Sequence, residues 1–349
     1  MIEQKTKQRH YTWTLVGLGA GLIAAIIISF MLGRYPVPPK ELFGILLSKI
    51  FPIEPFWAER VETVLFNIRL PRILLACLVG CCLSTAGAAY QGVFQNPMAA
   101  PDILGASSGA AFGAALAIKL GAASRMITAS AFLFSLITVS LVYFISLRAE
   151  GKRVIGLILS GIMISSLFTA GTSFIKLVAD QSSELPAITY WLMGSLSGAT
   201  KKDVTFVILP MALGLLPLFL LRWQINILTL GDDEAQTLGI NNNLLRLIVI
   251  ICSTLITAAS VSDRCNYFRP VFGMIGWVGL VMPHLSRKLV GNNYIYLLPA
   301  TMIFGAIFML VVDNVSRNLL ATEIPLGILT AFVGAPFFIY LITRRGDSF

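Results

Sequence analysis

Long apolar runs recur along this 349-residue chain, and each has about the length that a helix needs to cross a membrane. An α-helix spans the ~30 Å of hydrocarbon with ~20 residues, whereas a barrel strand needs ~10 residues of alternating polarity. Lipid offers no hydrogen-bond partners, so runs of this length must satisfy their backbone groups internally, as helices do. The sequence therefore predicts an all-α, polytopic membrane protein that forms a single transmembrane domain over residues 1–349. About ten spans are predicted, near residues 14–33, 69–90, 101–119, 126–148, 154–176, 203–221, 244–262, 273–285, 296–317 and 325–343.

Composition and charge exclude two other classes of protein. With 56% hydrophobic and 12% charged residues, the chain is not a soluble globular protein, and membrane lipid is its expected surroundings. The net charge is +9, but the basic residues are scattered over loops, so we expect no nucleic-acid partner. Lys and Arg divide almost evenly between the two sides of the predicted spans, so the positive-inside rule does not determine the orientation.

The sequence contains no pattern for catalysis, nucleotide binding or a metal. No Gly-x-x-x-x-Gly-Lys-Ser/Thr string occurs, and the two histidines, His10 and His284, are far apart. Cys77 and Cys81 are four residues apart on one predicted helix and could form a metal or redox site. Small buried residues at a helix interface are the favoured interpretation. We therefore expect no catalytic residue, no metal site and no cofactor in this chain.

Acidic residues avoid the middles of the predicted spans. Asp102 opens one span, Asp180 follows another, and Asp313 lies one turn before Arg317, where an i, i+4 ion pair is expected. Ion-coupled transporters place carboxylates near the bilayer midplane, so their scarcity here weakens that class without excluding it. If this chain is a transporter, we expect the energy for transport to come from another subunit.

Three stretches between spans are long enough to form ordered structure. Residues 34–68 and 177–202 are predicted outer loops, the second with Tyr190 and Trp191 for the interfacial belt. Residues 231–240 open with acids and end in Leu-Gly, which predicts a short capped helix. This helix would either fit a groove on a partner protein or be a solvated connector.

Glycine and polar motifs mark several span ends. Gly276 and Gly279, at i and i+3, would let two helix backbones approach closely, while Pro283, His284 and Arg287 would end that helix at the lipid boundary. The segment 95–101 breaks a helix before the small-residue string 105–110, which suits close packing or a polar route. The string 69–72, with two arginines around a proline, is either an interfacial anchor or a positive surface for an acidic partner.

These motifs together resemble the membrane permease subunits of FecCD-type ABC importers, which move iron–siderophore complexes, haem, cobalamin and some oxyanions. The resemblance extends over about 270 residues, and its matched segments follow the family order. They are Arg69–Arg72, Gly87–Gln91, Gln95–Pro101, Leu104–Ala110, Trp191–Ser195, Gly231–Gly239, Gly276–Arg287, Pro299, Asp313, Arg317, Glu323–Gly327 and Gly334–Phe337.

The resemblance implies an architecture and a set of partners. It implies the type II ABC importer permease fold, a homodimer with a translocation path along its axis, and two P-loop ATPase subunits that hold ATP and Mg. An extracytoplasmic substrate-binding protein would deliver the cargo. The implied location is the cytoplasmic (inner) membrane of a bacterium, with multiple passes and both termini in the cytoplasm.

The resemblance also assigns roles to particular residues. The ATPase-coupling residues would be Gly231, Asp232, Asp233, Glu234, Ala235, Leu238 and Gly239. The residues that dock the binding protein would be Arg69, Arg72 and Arg317, at the outer surface. The translocation path and its inner gate would include Gly105, Ser107, Ser108, Gly109, Lys152, Arg153, Val154 and Ile155.

Residues 263–272 depart from the family pattern, because they lengthen the outer loop before the Gly276 motif by roughly eight residues. This loop would contact substrate or the binding protein, or be a tolerated insertion, which is the favoured interpretation. It puts the start of the span near 273–285 in question.

The leading hypothesis is a non-enzymatic permease subunit that takes up a metal chelate, an iron(III)–siderophore first among the candidates. Cobalamin, haem and molybdate or tungstate are alternative cargoes of the same importer type. An ion-coupled secondary transporter or channel is a more distant alternative, and a membrane-embedded enzyme would need a nucleophile with a base or a metal triad, which the sequence lacks.

Overall fold

The computed structural model describes residues 2–52, 54–148, 153–261, 265–266, 269–270, 273 and 275–343. Fifteen helices occur in these residues. They are α1 (Ile2–Met31), α2 (Pro39–Ser48), α3 (Glu59–Thr63), α4 (Leu70–Val93), α5 (Ala106–Lys119), α6 (Ser124–Leu147), α7 (Arg153–Val178), α8 (Glu184–Met193), α9 (Lys201–Leu220), α10 (Arg222–Leu228), α11 (Asp232–Thr237), α12 (Asn242–Val261), α13 (Val278–Val290), α14 (Tyr294–Asn318) and α15 (Leu326–Thr343). The helical fold class that the sequence predicts is confirmed.

Seven helical stretches of the described residues are long and apolar enough to cross a membrane. They agree with the predicted spans near 14–33, 69–90, 126–148, 154–176, 203–221, 244–262 and 296–317. The predicted span at 101–119 is wrong in length, because α5 has only 14 residues and covers about 21 Å. The span at 273–285 is displaced, because α13 begins at Val278 and has 13 residues.

Helix α4 continues a longer helical stretch that starts in the predicted outer loop 34–68. Residues Glu59–Val93 form 35 helical residues without a break. Within them Val64–Arg69 take the wider π-helical pattern. Pro71 follows at once, and its ring has no N–H and would clash with the carbonyl four residues back, so the local register widens.

Helix α4 is the centre of the protein, packed by α9, α12, α13 and α14. It is buried along most of its length. Its contact with α13 depends on Gly87, because a Cβ there would collide with the carbonyl oxygen of Gly279. The expected close approach at Gly279 is therefore present. Gly276 does not share in it, since nothing lies within 4 Å of its would-be Cβ.

The inner end of α13 also differs from expectation. Pro283 lies inside the helix and does not end it, and Arg287 lies in its last turn. In the inserted loop 263–272, Cys265–Asn266 pairs antiparallel with Arg269–Pro270, which is a short exception to the all-α fold. The other residues of this loop lie outside the described residues.

Candidate functional site

The short helix α11 occupies the predicted coupling segment 231–240. Gly231 precedes it with φ 146°, three acids form its first turn, and Gly239 follows it with φ 79°, so the predicted capping pattern is present. The Asp232 carboxylate accepts from Nη2 of Arg246 at 2.7 and 2.9 Å. Asn242 donates to the Asp232 carbonyl at 2.7 Å. These contacts fix α11 against the first turns of α12.

One side of α11 packs inward and the other is open. Ala235 is fully buried, whereas Asp233 and Glu234 are exposed and Leu238 is 57% exposed. The helix therefore presents two carboxylates and an apolar side chain on a surface that its own chain does not cover.

A polar network joins the inner ends of α4, α10, α13 and α14 beside α11. Gln95 has a left-handed φ of 49° and donates from Nε2 to the Leu228 carbonyl, the last residue of α10, at 2.8 Å. Arg287 donates to Gln91 Oε1 at 2.6 Å and to the Tyr294 hydroxyl at 3.2 Å. The Tyr294 hydroxyl donates to the Ala88 carbonyl at 3.0 Å. Gln91 and Gln95 lie in the sequence motifs without a predicted role, and Arg287 is predicted only to end its helix at the lipid boundary. Polar residues at the ends of apolar runs were the available signal for this network.

The three arginines predicted to dock a binding protein lie in a buried cluster. Arg69, Arg72 and Arg317 are 3%, 6% and 7% exposed. Arg69 donates to the backbone carbonyls of Phe30 and Tyr35, which ties α4 to the end of α1.

Two acids neutralise most of this cluster. Arg72 Nε lies 2.9 Å from Asp313 Oδ1, and Arg72 Nη1 lies 3.0 Å from the Glu323 carboxylate. Arg317 Nε lies 3.3 Å from Asp313 Oδ2, so the i, i+4 pair expected from the sequence is present. Burial would by itself raise the pKa of Glu323, but the hydrogen bond and charge of Arg72 hold that pKa below its ordinary value. The three guanidinium groups already have partners inside this chain. No contact of these arginines with a binding protein is shown, so their docking role stays a prediction.

The predicted path residues surround the amino end of α5, which starts inside the membrane region. Gly105 adopts a left-handed φ of 78°, and a Cβ there would crowd Ser165 Oγ of α7 and Thr138 of α6. Ser108 donates to the Gly105 carbonyl at 3.2 Å. Gly109 packs so closely on α6 that a Cβ would collide with Thr138 Oγ1. Gly105 and Gly109 are therefore packing residues in this structure.

Ser107 instead lies beside an open groove. It donates to Oδ1 of Asp102, which lies in the 3₁₀ turn Pro101–Leu104 before α5. Asp102 is exposed and lines a groove of about 520 Å³ together with residues of α7. The other described lining residues are Ile103, Ile162, Ser165, Ser166, Thr169, Ala170 and Ser173. The sequence predicts that Asp102 opens a span, and it gives no sign that the side chain lines a groove.

The predicted inner gate is only partly within the described residues. Lys152 lies outside them, and Arg153 and Val154 are described as the first backbone turn of α7. Ile155 is 53% exposed at the same end. Among the described residues, no group of three or more His, Cys, Asp or Glu side chains is arranged to hold a metal ion.

Comparison with known proteins identifies the family. The FecCD transport family matches residues 21–344. The molybdate import system permease protein MolB of Haemophilus influenzae is 40% identical over 339 residues, which cover 96% of this chain and 98% of that protein. An iron chelatin transport system permease protein of Helicobacter pylori is 40% identical over 285 residues, covering 81% of this chain and 83% of that protein.

A solved structure gives the same result at the level of the fold. A metal-chelate type ABC transporter in an inward-facing conformation is similar with a TM-score of 0.82 at 39% sequence identity. The match covers 95% of this chain and 98% of that one. The chain therefore belongs to the FecCD transport family, the multi-pass membrane permeases of ABC importers, which are transport subunits and not enzymes.

Proposed function

We propose that this chain is the permease subunit of an ATP-driven importer that moves a metal chelate, an iron(III)–siderophore, across the cytoplasmic membrane of a bacterium. Both termini lie in the cytoplasm in this proposal. Two ATPase subunits bind its cytoplasmic face, and an extracytoplasmic binding protein delivers the chelate. The observation that carries the proposal is that α11 is anchored to this chain on one side and exposes charged and apolar side chains on the other.

Helix α11 has the properties of a docking element for a separate ATPase. The Asp232–Arg246 ion pair and the buried Ala235 anchor this helix, so a displacement of α11 is transmitted to α12. Its exposed Asp233, Glu234 and Leu238 offer charge and apolar area to a partner groove. The chain has no P-loop of its own, so the ATP-binding site belongs to that partner.

The groove beside Asp102 supports a homodimer. An exposed carboxylate is costly against lipid, so this face of α5 and α7 is better suited to water or to another protein surface. A second copy of the chain facing this groove encloses a hydrated route between the two subunits. The cargo crosses the membrane along that route.

Replacing Asp233 tests the coupling role directly. Asp233→Arg reverses a charge on the exposed face of α11 without touching the Asp232–Arg246 pair. With the ATPase and binding protein present, we expect chelate uptake to fall at least about tenfold, while insertion into the membrane is unchanged. Glu54→Arg, a charge reversal at an exposed residue between α2 and α3, is the matched control and keeps wild-type uptake. Wild-type uptake in Asp233→Arg would refute the assignment.

The partners and the cargo are identified by purification. Tagged protein is extracted in mild detergent from its native membrane and analysed by native mass spectrometry. We expect a complex of two permeases and two P-loop ATPases, and the ligand of a co-purifying binding protein names the cargo. A chain recovered without an ATPase would count against the proposal.

An ion-coupled transporter is a second candidate, and Asp102 is the observation that favours it. Its carboxylate lies beside the middle of α7, where such transporters place coupling acids. Flux driven by an ion gradient through the reconstituted chain alone would support this candidate over the importer.

A further inference from the structure

Asp102 is a carboxylate at mid-membrane depth, although the sequence places it at the start of an apolar run. Helix α7 has its apolar span over Ile155–Val178, and Ser165 and Ser166 lie near the centre of that span. Asp102 lines the same groove as these two serines. Because α5 is short and follows a 3₁₀ turn, its amino end lies deep between α6 and α7. An acid in this position is rarely kept without a function.

Three hydroxyl groups in or beside the groove already donate within this chain. Ser166 and Ser173 donate back to the carbonyls of Ile162 and Thr169 on their own helix, at 2.9 and 3.0 Å. Ser107 donates to Asp102 itself. The hydroxyl protons of Ser107, Ser166 and Ser173 are therefore used, and these three groups offer a passing molecule only their oxygen lone pairs.

Two further observations describe the charged and polar atoms of the groove. Asp102 is the one charged residue among its described lining residues. The Ser165 hydroxyl oxygen lines the groove, is buried and has no hydrogen-bond partner within the described part of the chain. The Asp102 carboxylate attracts a positive charge or a hydrogen-bond donor, and it repels an acceptor-only anion such as molybdate.

We propose that Asp102 selects cargo by charge: the groove admits neutral or cationic chelates that offer hydrogen-bond donors and disfavours free oxyanions. This inference rests on the proposed function, because it takes the groove to be part of the translocation route. Asp102 contacts the cargo, and the serine and threonine oxygens of α7 extend the acceptor surface along the groove.

The charge of the groove is measured without transport by labelling a cysteine placed in it. Ser166→Cys is treated with a trimethylammonium-ethyl or a sulfonato-ethyl methanethiosulfonate, and the labelled residue is quantified by mass spectrometry, which separates it from the native cysteines. After correction for the reactivity of a free thiol, we expect the cationic reagent to react about tenfold faster or more than the anionic one.

Asp102→Asn then removes the charge but keeps an oxygen that can accept from Ser107. We expect the two reagents to approach equal rates in the double variant. Asp180→Asn makes the same charge change at an exposed site outside the groove and leaves the preference intact. Equal rates with Asp102 present, or no labelling of Ser166→Cys by either reagent, would overturn the proposal.

Uptake by the complete importer tests the cargo class. A neutral ferric hydroxamate chelate should be preferred to molybdate, and Asp102→Asn should reduce this preference about tenfold. Faster uptake of molybdate by the wild type would refute the selection. Uptake of neither cargo would count against the proposed function, whereas the labelling ratio would still decide the charge of the groove.

Discussion

At the scale of single residues, the buried charges at the start of α4 and the end of α14 are the groups whose loss should cost the most stability. Asp313 is fully buried between Arg72 and Arg317, and Glu323 adds a second negative charge. A buried ion pair is weak evidence for net stability, but removing one partner leaves a charge without compensation. The sequence predicted the Asp313–Arg317 pair from its spacing. It did not predict Arg72, which is 241 residues away.

Asp313→Asn tests that cluster. We expect a loss of about 3 kcal/mol or more in unfolding free energy, because Arg72 and Arg317 both lose their shared carboxylate. Thermal unfolding in detergent measures it. Lys49→Gln removes the exposed Lys49–Glu62 pair and should cost under about 1 kcal/mol. Equal small losses in the two variants would show that Asp313 is not the neutralising group.

Gly87→Ala tests the close approach of α4 and α13. Its Cβ would collide with the Gly279 carbonyl, and backbone cannot move aside as a flexible side chain can. We expect a destabilisation of about 2 kcal/mol, read as a lower unfolding temperature. Gly17→Ala on α1 is the matched control, since nothing lies within 4 Å of its would-be Cβ, and it should be neutral. A neutral Gly87→Ala would mean that the two helices are farther apart.

At the scale of elements, local sequence patterns predicted the position of α11 but not the residues at which α5 and α13 begin. Helix α11 is marked by three acids in its first turn and by a glycine after its end, and both can be recognised in the sequence. An apolar run does not show where a helix begins inside it. The 3₁₀ turn Pro101–Leu104 and left-handed Gly105 delay α5, and left-handed Trp277 immediately precedes α13.

The turn between α4 and α5 connects the end of α10, which packs on α11, to the groove. Gln95 bonds to the end of α10, and a few residues later Asp102 lines the groove. Gln95→Ala removes that bond, worth about 1 kcal/mol, and leaves a non-glycine residue in a left-handed conformation without it. We expect uptake per ATP hydrolysed to fall severalfold.

A matched variant separates this effect from general damage. Gln181→Ala makes the same replacement at an exposed position between α7 and α8 and should keep the wild-type ratio. Unchanged uptake per ATP in Gln95→Ala would show that the turn does not transmit the movement of α11. Both quantities are measured on the same proteoliposomes.

At the scale of the whole molecule, the helix order places α8 and α11 on opposite sides of the membrane. Helix α9, Lys201–Leu220, lies between them along the chain and is long and apolar enough to cross the membrane once. Ser182 and Thr237 are exposed near the two ends of this span. With both termini in the cytoplasm, Ser182→Cys should react with an impermeant maleimide added to intact cells.

Thr237→Cys should react only after the cells are opened. The reverse pattern would invert the proposed orientation, and labelling of both from outside would contradict the single crossing by α9. Net charge does not settle this question, because the basic residues are balanced across the predicted spans.

The amino-acid sequence by itself determined the membrane class, the helical fold, the family and the short helix α11. Each of these depends on local patterns: run length, caps and ordered motifs. Tertiary structure alone decided that Arg69, Arg72 and Arg317 are buried, that Gly109 packs and does not line an open space, and that Asp102 lines a groove beside the middle of α7. The reason is physical: depth and burial depend on which helices pack together, and those contacts join residues that hydropathy along the chain treats independently.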